Sequence, residues 1–74
     1  MVPAMKYVVV YEQSPDGSWA ASVPDLQGCF SMGDTLDEVR GNVKEAITLW
    51  IDFERERGHE IPHPTAVAES VEVA

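Results

Sequence analysis

From Thr35 to Gly58 the chain reads T-L-D-E-V-R-G-N-V-K-E-A-I-T-L-W-I-D-F-E-R-E-R-G, one long helical pattern with no second one to pack against. Leu36, Val39, Val43, Ala46, Ile47, Trp50 and Phe53 recur at i, i+3, i+4 and i+7 and form a single apolar stripe. Ile51, beside Ile47, widens it. Thr35 and Glu38 fit a capping box, in which the threonine accepts a backbone N–H and the glutamate reaches back to the cap amide. Asp37 and Glu38 in the first turn and Arg55 and Arg57 in the last complement the helix dipole. Gly58 suits the residue after the C-cap, and Pro62 and Pro64 stop the helix from resuming. Leu36 to Arg57 therefore predicts a helix about 33 Å long. Gly41 costs it about 1 kcal/mol relative to alanine unless a close contact there demands glycine. A lone amphipathic helix must lay its stripe on a sheet, and the sheet has to come from the residues around it.

The upstream residues have the composition for one. Met5 to Gln13, M-K-Y-V-V-V-Y-E-Q, is dense in β-branched and aromatic residues and reads as a strand. Tyr7, Val9 and Tyr11 share one face, Val8 and Val10 the other; two apolar faces predict a central strand. Ser14-Pro15-Asp16-Gly17 is a strong turn signal. Ser18 to Val23 then alternates, with Trp19, Ala21 and Val23 on one face, as a half-buried antiparallel strand that Pro24 ends. Pro24 to Gly28 is a second turn, Cys29 to Met32 a brief third strand, and Gly33-Asp34 leads into the helix. After the loop from His59 to Pro64, Val67, Val71 and Val73 stand at even spacing with Glu69 among them. That tail reads as a fourth strand, either beside the first or paired with another copy. The expected fold is α+β, β-β-β-α-β: an antiparallel meander, one long helix on one sheet face, and a C-terminal strand, all in a single domain.

Seventy-four residues bury a modest core, and small domains often add a disulfide, a metal or self-association to it. Cys29 is the only cysteine, so no intrachain disulfide forms, and a lone thiol suits a reducing cytoplasm. Self-association, as a dimer or tetramer, is the expected supplement. The opening M-V-P-A-M-K has no basic region followed by an apolar core, so no leader is expected. The apolar run Tyr7 to Tyr11 is too short for a bilayer. Cytoplasmic location follows as the expectation.

Thirteen acids oppose five bases, a formal charge of −8. From Leu36 to Arg57 six acids face four bases; the rest of the chain has seven acids and only Lys6. Such a surface repels a phosphate backbone, so direct nucleic-acid binding is disfavoured. It suits a basic protein partner, although acidity also serves simple solubility.

Few groups of residues suggest chemistry. His59 and His63 are four apart, but Pro62 denies them a common helix face, and a zinc site needs further ligands. They read as solvated loop residues. Cys29 would need a neighbouring base to act as a nucleophile; in a short apolar strand it reads as a small buried residue. Asp16, Asp25 and Asp34 could gather round a hard cation, yet each has a local reason at a turn or at the helix start. Trp19, Phe30, Trp50 and Phe53 lack the interleaved bases of a stacking platform and read as core and interface. There is no phosphate-binding glycine loop and no Ser-His-Asp or Cys-His set. No enzyme, cofactor or metal is expected.

Taken together, Y-V-V-V-Y, D-G-S-W, V-P-D-L-Q-G-C-F, G-D-T-L-D-E-V, N-V-K-E-A-I-T-L-W and G-H-E-I-P-H-P resemble the HicB family, the antitoxins of HicA–HicB toxin–antitoxin systems, in order and spacing from Met5 to Pro64. The resemblance is to short single-domain members; Gln27 stands where the family often has a second proline. It implies a degenerate, partial RNase H-like fold. It also implies a partner: a small basic HicA-like toxin, an mRNA-cleaving ribonuclease whose catalytic histidine the antitoxin masks. Many HicB proteins add a C-terminal DNA-binding domain, for which residues 65–74 offer no pattern. Nuclease activity is not carried over, because the first strand has no acid at its centre to hold metals. Asp16, Trp19, Asp25 and Phe30, near the turns, are the expected toxin contacts. The alternative is an orphan homo-oligomeric HicB-like binding module with no toxin.

Overall fold

The computed structural model describes residues 5–74; most of the opening stretch read above for a leader lies outside them. The first turn forms where proline, aspartate and glycine demand it. Gly17 N–H donates to the Ser14 carbonyl at 2.9 Å and Ser14 N–H to the Ser18 carbonyl at 2.8 Å. Asp16 Oδ1 accepts from Ser18 N–H at 3.0 Å and from Ser18 Oγ at 2.7 Å. This turn joins β1 (Val10–Gln13) to β2 (Trp19–Ser22), antiparallel, with Val10 opposite Ser22 and Gln13 opposite Trp19. Val23, Leu26 and Cys29 close the next loop on themselves through backbone hydrogen bonds of 3.0–3.1 Å. β3 (Phe30–Gly33) follows, with Phe30 opposite Ser22 and Gly33 opposite Trp19.

The helix α1 runs from Leu36 to Glu56, with Thr35 as N-cap accepting the Glu38 N–H at 3.1 Å and Arg57 as C-cap. Gly58 takes the left-handed conformation, φ +74°, that ends helices cheaply only in glycine. Its N–H meets the Arg55 carbonyl at 3.0 Å and the His59 N–H meets that of Glu54 at 2.9 Å. Those two bonds satisfy carbonyls the helix would otherwise leave open. Asn42 Nδ2 donates to the Met32 carbonyl at 2.9 Å and ties helix to sheet.

The core lies between helix and sheet. Ala21, Val23, Leu26, Cys29, Val39 and Val43 are buried, with Tyr7, Val9, Tyr11, Trp19, Leu36, Ala46, Ile47 and Trp50 packed round them. One sheet face is thus covered by the helix, as the stripe requires.

Two expectations are corrected. The sheet order is β1-β2-β3, so β1 is an edge strand and β2 the central one. Apolarity on both faces of Tyr7 to Tyr11 does not make this strand central, because the single chain supplies no neighbour on its outer side. For the same reason β1 is shorter than the strand read from Met5: opposite Val9 and Val8 the partner chain reaches Val23 and Pro24 and turns away. The tail expected as a fourth strand is not paired beside the first strand of its own chain; residues 65–74 carry neither helix nor strand, and Val67, Val71 and Val73 are exposed. Alternation prepares a segment for pairing, but a strand also needs a neighbour's backbone.

Candidate protein-binding surface

The alternation that sends Tyr11, Ala21 and Ser31 toward the helix sends their neighbours the other way. Val10, Glu12, Ala20, Ser22, Phe30 and Met32 therefore make up the uncovered sheet face, and a shallow depression of about 240 Å³ lies among them. Phe30 is 65% and Met32 64% exposed. Two large apolar side chains on one short strand, facing water beside alanine and valine, form a patch of the kind that marks a protein-interaction site. The four residues expected as contacts occupy different places. Phe30 stands on this face, at the start of the edge strand β3 and opposite Ser22. Trp19 is on the other face, half-buried against the core. Asp16 is at the β1–β2 turn, where its bonds to the Ser18 hydroxyl and N–H hold its carboxyl below the usual range. Asp25 is at the far end of β2, in the next loop.

Asp25 has a structural task that its position in a turn did not disclose. Its carboxylate accepts from Thr65 N–H at 3.0 Å, Thr65 Oγ1 at 2.8 Å and Ala66 N–H at 3.0 Å. Those donors, the Ala66 amide foremost, hold its carboxyl below the usual range. Beside it Tyr7 Oη donates to the Pro62 carbonyl at 2.6 Å. Burial, with the Asp25 carboxylate nearby, pushes the Tyr7 phenol up. Together the two side chains pin the segment that follows the helix.

Among the described residues, grooves lie on both flanks of the helix. Between α1 and the start of β3 lies one of about 710 Å³, walled by Phe30, Leu49, Trp50 and Phe53, with Asp52 and Glu56 among its lining. Trp50 Nε1 donates to the Gln27 carbonyl at 3.0 Å at its base, and the Arg57 guanidinium lies 5.3 Å from the Phe53 ring centroid. Between α1 and β1 lies another, of about 470 Å³, whose charged residues are Arg40 and Lys44. Each groove is apolar at its floor, and the two differ in the sign of charge they present.

Cys29 is buried, which pushes its thiol up and away from the reactive thiolate. His59 Nδ1 contacts Glu54 Oε2 at 2.6 Å, a pairing along the helix end. Among the described residues no group of three or more His, Cys, Asp or Glu side chains could hold a metal ion. No helix among the described residues is long and apolar enough to cross a membrane. Met32 was missed as a surface residue. Its signal was the inverted order of β3, small Cys29 and Ser31 inward and large Phe30 and Met32 outward, which a strand serving only its own core would reverse.

Comparison with known proteins gives this surface a context. A family model described as the HicB-like antitoxin of bacterial toxin–antitoxin systems matches residues 7–73. The chain is 39% identical over 62 residues to UPF0150 protein Ta0767 of Thermoplasma acidophilum, covering 84% of this chain and 90% of that one. A UPF0150 protein of Archaeoglobus fulgidus is 39% identical over 51 residues, 69% of this chain and 74% of that one. A 14.9 kDa protein from the rep-hol intergenic region of Haemophilus phage HP1 is 40% identical over 67 residues. That match covers 90% of this chain, which spans about half the length of the phage protein. On a match that runs nearly end to end, the chain belongs to the HicB-like antitoxin family.

Proposed function

We propose that this protein is the antitoxin of a toxin–antitoxin pair and that it neutralises a HicA-like, mRNA-cleaving toxin by binding over the toxin's active site. The observation that carries the reading is the uncovered sheet face, with Phe30 and Met32 mostly exposed on a chain of charge −8. A ribonuclease holds its substrate with lysine and arginine, since phosphate contacts dominate affinity for nucleic acid. An acidic body steers toward such a surface, and an apolar centre then supplies the desolvated contact that holds it there. Covering the RNA-binding side removes both the attraction for RNA and access to the catalytic histidine, so the antitoxin acts in the cytoplasm by occupancy and needs no chemistry of its own. Phe30 is the anchor in this reading, Asp16 and Asp25 contribute from the loops at either end of the hairpin, and Trp19, at the start of β2, supports the sheet from its helix-covered face.

The test is co-expression with the cognate toxin, a small basic protein with a histidine, followed by pull-down. The pair should co-purify and growth should recover. Phe30→Ala should weaken binding by about 2 kcal/mol, roughly thirtyfold in Kd, with the fold intact. Failure both to bind and to rescue overturns the proposal. An orphan self-associating module is the second reading, favoured by the exposed valines of the tail. A neighbouring reading frame for a basic, histidine-containing protein separates the two, supporting the antitoxin where present.

A further inference from the structure

The tail is built as an arm. Its base is fixed by three hydrogen bonds to Asp25 and by the Tyr7 bond to Pro62, while among the described residues nothing bonds to 67–74. Val67, Val71 and Val73 stand 87%, 74% and 84% exposed in a segment with neither helix nor strand, and their even spacing, with Glu69 among them, would put all four on one face of an added strand. The molecule is drawn out accordingly. Its radius of gyration is 14.0 Å and its long axis 44 Å, whereas a compact chain of this length has a radius near 11 Å.

A matching acceptor exists on the same protein. β1 is an edge strand, and residues 5–9 continue it past the end of β2 with no strand beside them. Their inward side chains Tyr7 and Val9, with Tyr11, form one wall of the β1–α1 groove, and Val43 and Ile47 form the other. The groove's charges are Arg40 and Lys44; Arg40 makes an exposed pair with Asp37 at 3.1 Å, while Lys44 has no ion-pair partner among the described residues. The arm carries Glu69 and Glu72 and no base. On the other flank of the helix Asp52 and Glu56 would repel it. Apolar face, unpaired backbone and charge thus select one groove of the two.

We propose that residues 67–73 are an exchange arm: each copy lays its arm along β1 of a second copy, valines into the groove and Glu69 toward Lys44. Seven extended residues span about 23 Å, enough to follow the whole edge from Tyr7 to Gln13. Exchanged both ways between two copies, the contact closes as a twofold dimer that occupies both arms and both β1 edges and leaves only the β3 edges unpaired. The exchange also covers a strand edge that otherwise invites aggregation. It goes beyond the antitoxin reading and stands without it.

Sedimentation velocity of the full chain at micromolar concentration and physiological salt, where repulsion between two acidic bodies is screened, tests the arm. The wild type should be a dimer. Val71→Asp, at an exposed position that leaves the monomer folded, should abolish it. Lys44→Glu and Glu69→Lys should each weaken it about tenfold by placing like charges together. Mixing those two variants should restore dimers, since each then offers the other the opposite charge. A wild-type monomer overturns the proposal, as does a dimer that survives Val71→Asp. Failure of the mixture to recover overturns exchange between copies and points to an arm that folds onto its own groove.

Discussion

Two glycines that look alike in sequence should respond to alanine in opposite ways. Gly33 ends β3 where the first turn of the helix crosses it. A Cβ there would lie 2.8 Å from Val39 N, 3.2 Å from Val39 Cα and 3.3 Å from Glu38 C. All three are backbone atoms of a helix held by its N-cap, so no side chain can swing aside. Carbon contacts are comfortable at about 3.5–4.0 Å, so the helix start must retreat by about 0.7 Å. That retreat loosens Val39, one of the two largest fully buried side chains. Overpacking of this kind costs about 1–3 kcal/mol. Against a total stability of about 4–11 kcal/mol for a domain of this size, the loss is large. At about 4–8 °C per kcal/mol, a central cost near 2 kcal/mol lowers Tm by about 8–16 °C. Around Gly41 no atom lies within 4 Å of the same added carbon. There alanine only relieves the helix of glycine's backbone entropy, a gain of about 0.5–1 kcal/mol and about 2–8 °C. Thermal unfolding followed by far-ultraviolet circular dichroism measures both, at one protein concentration because self-association also moves Tm. Shifts of the same sign, or a Gly33→Ala change within about one degree, refute the close-approach argument.

Thr35→Ala removes the acceptor of the Glu38 N–H and should cost about 1 kcal/mol, read as a lower urea midpoint with an unchanged slope. Asp25 is held below the usual carboxyl range by the Ala66 and Thr65 donors. Its tether is therefore fully present above the unfolded value of about 3.9 and is lost as pH falls through the lower folded one. The Thr65 and Ala66 amide resonances should hold constant at neutral pH and move together only below about pH 4, and Asp25→Ala should speed proteolytic cleavage near Thr65 at neutral pH. Cys29, buried and with its thiol pushed up, should react slowly with a disulfide reagent in the native protein and at once in denaturant.

The helix was legible almost to the residue because both its ends are written in local chemistry: Thr35 reaches only to Glu38, and Gly58 needs only its own φ. The two hairpin turns were legible for the same reason, and the burial of Cys29 followed from the apolar run it opens, although the residue itself closes the loop before β3. What was misread depends on residues far apart or on surfaces beyond the chain. The edge position of β1 cannot be told from Y-V-V-V-Y, since an apolar strand looks the same whether its neighbour is its own chain or another. The valines of the tail announce a strand, but not whose backbone completes it. Asp25 reads as a turn former and is one, yet its carboxylate also binds an amide 41 residues later, a link no spacing rule contains. At the candidate surface, Phe30 was legible by its size; Met32 became visible only once Cys29 was seen to point inward.

The proposed arm exchange and the proposed toxin contact would draw on separate parts of this sheet. An arm lying along β1 uses the strand's outer edge and the helix-side residues Tyr7, Val9 and Tyr11. The opposite face, with Phe30 and Met32 on β3, lies two strands away from that edge. A dimer made by arm exchange therefore leaves the patch of each copy open, and the expected complex has one toxin per antitoxin chain. Oligomerisation is then no argument for an orphan module, because it does not consume the toxin surface. Val71→Asp should give a monomer that still binds toxin at full strength per chain, and Phe30→Ala a dimer that binds it poorly. Loss of both properties from either single substitution would place arm and toxin on one surface, and the division of the sheet argued from its topology would be wrong.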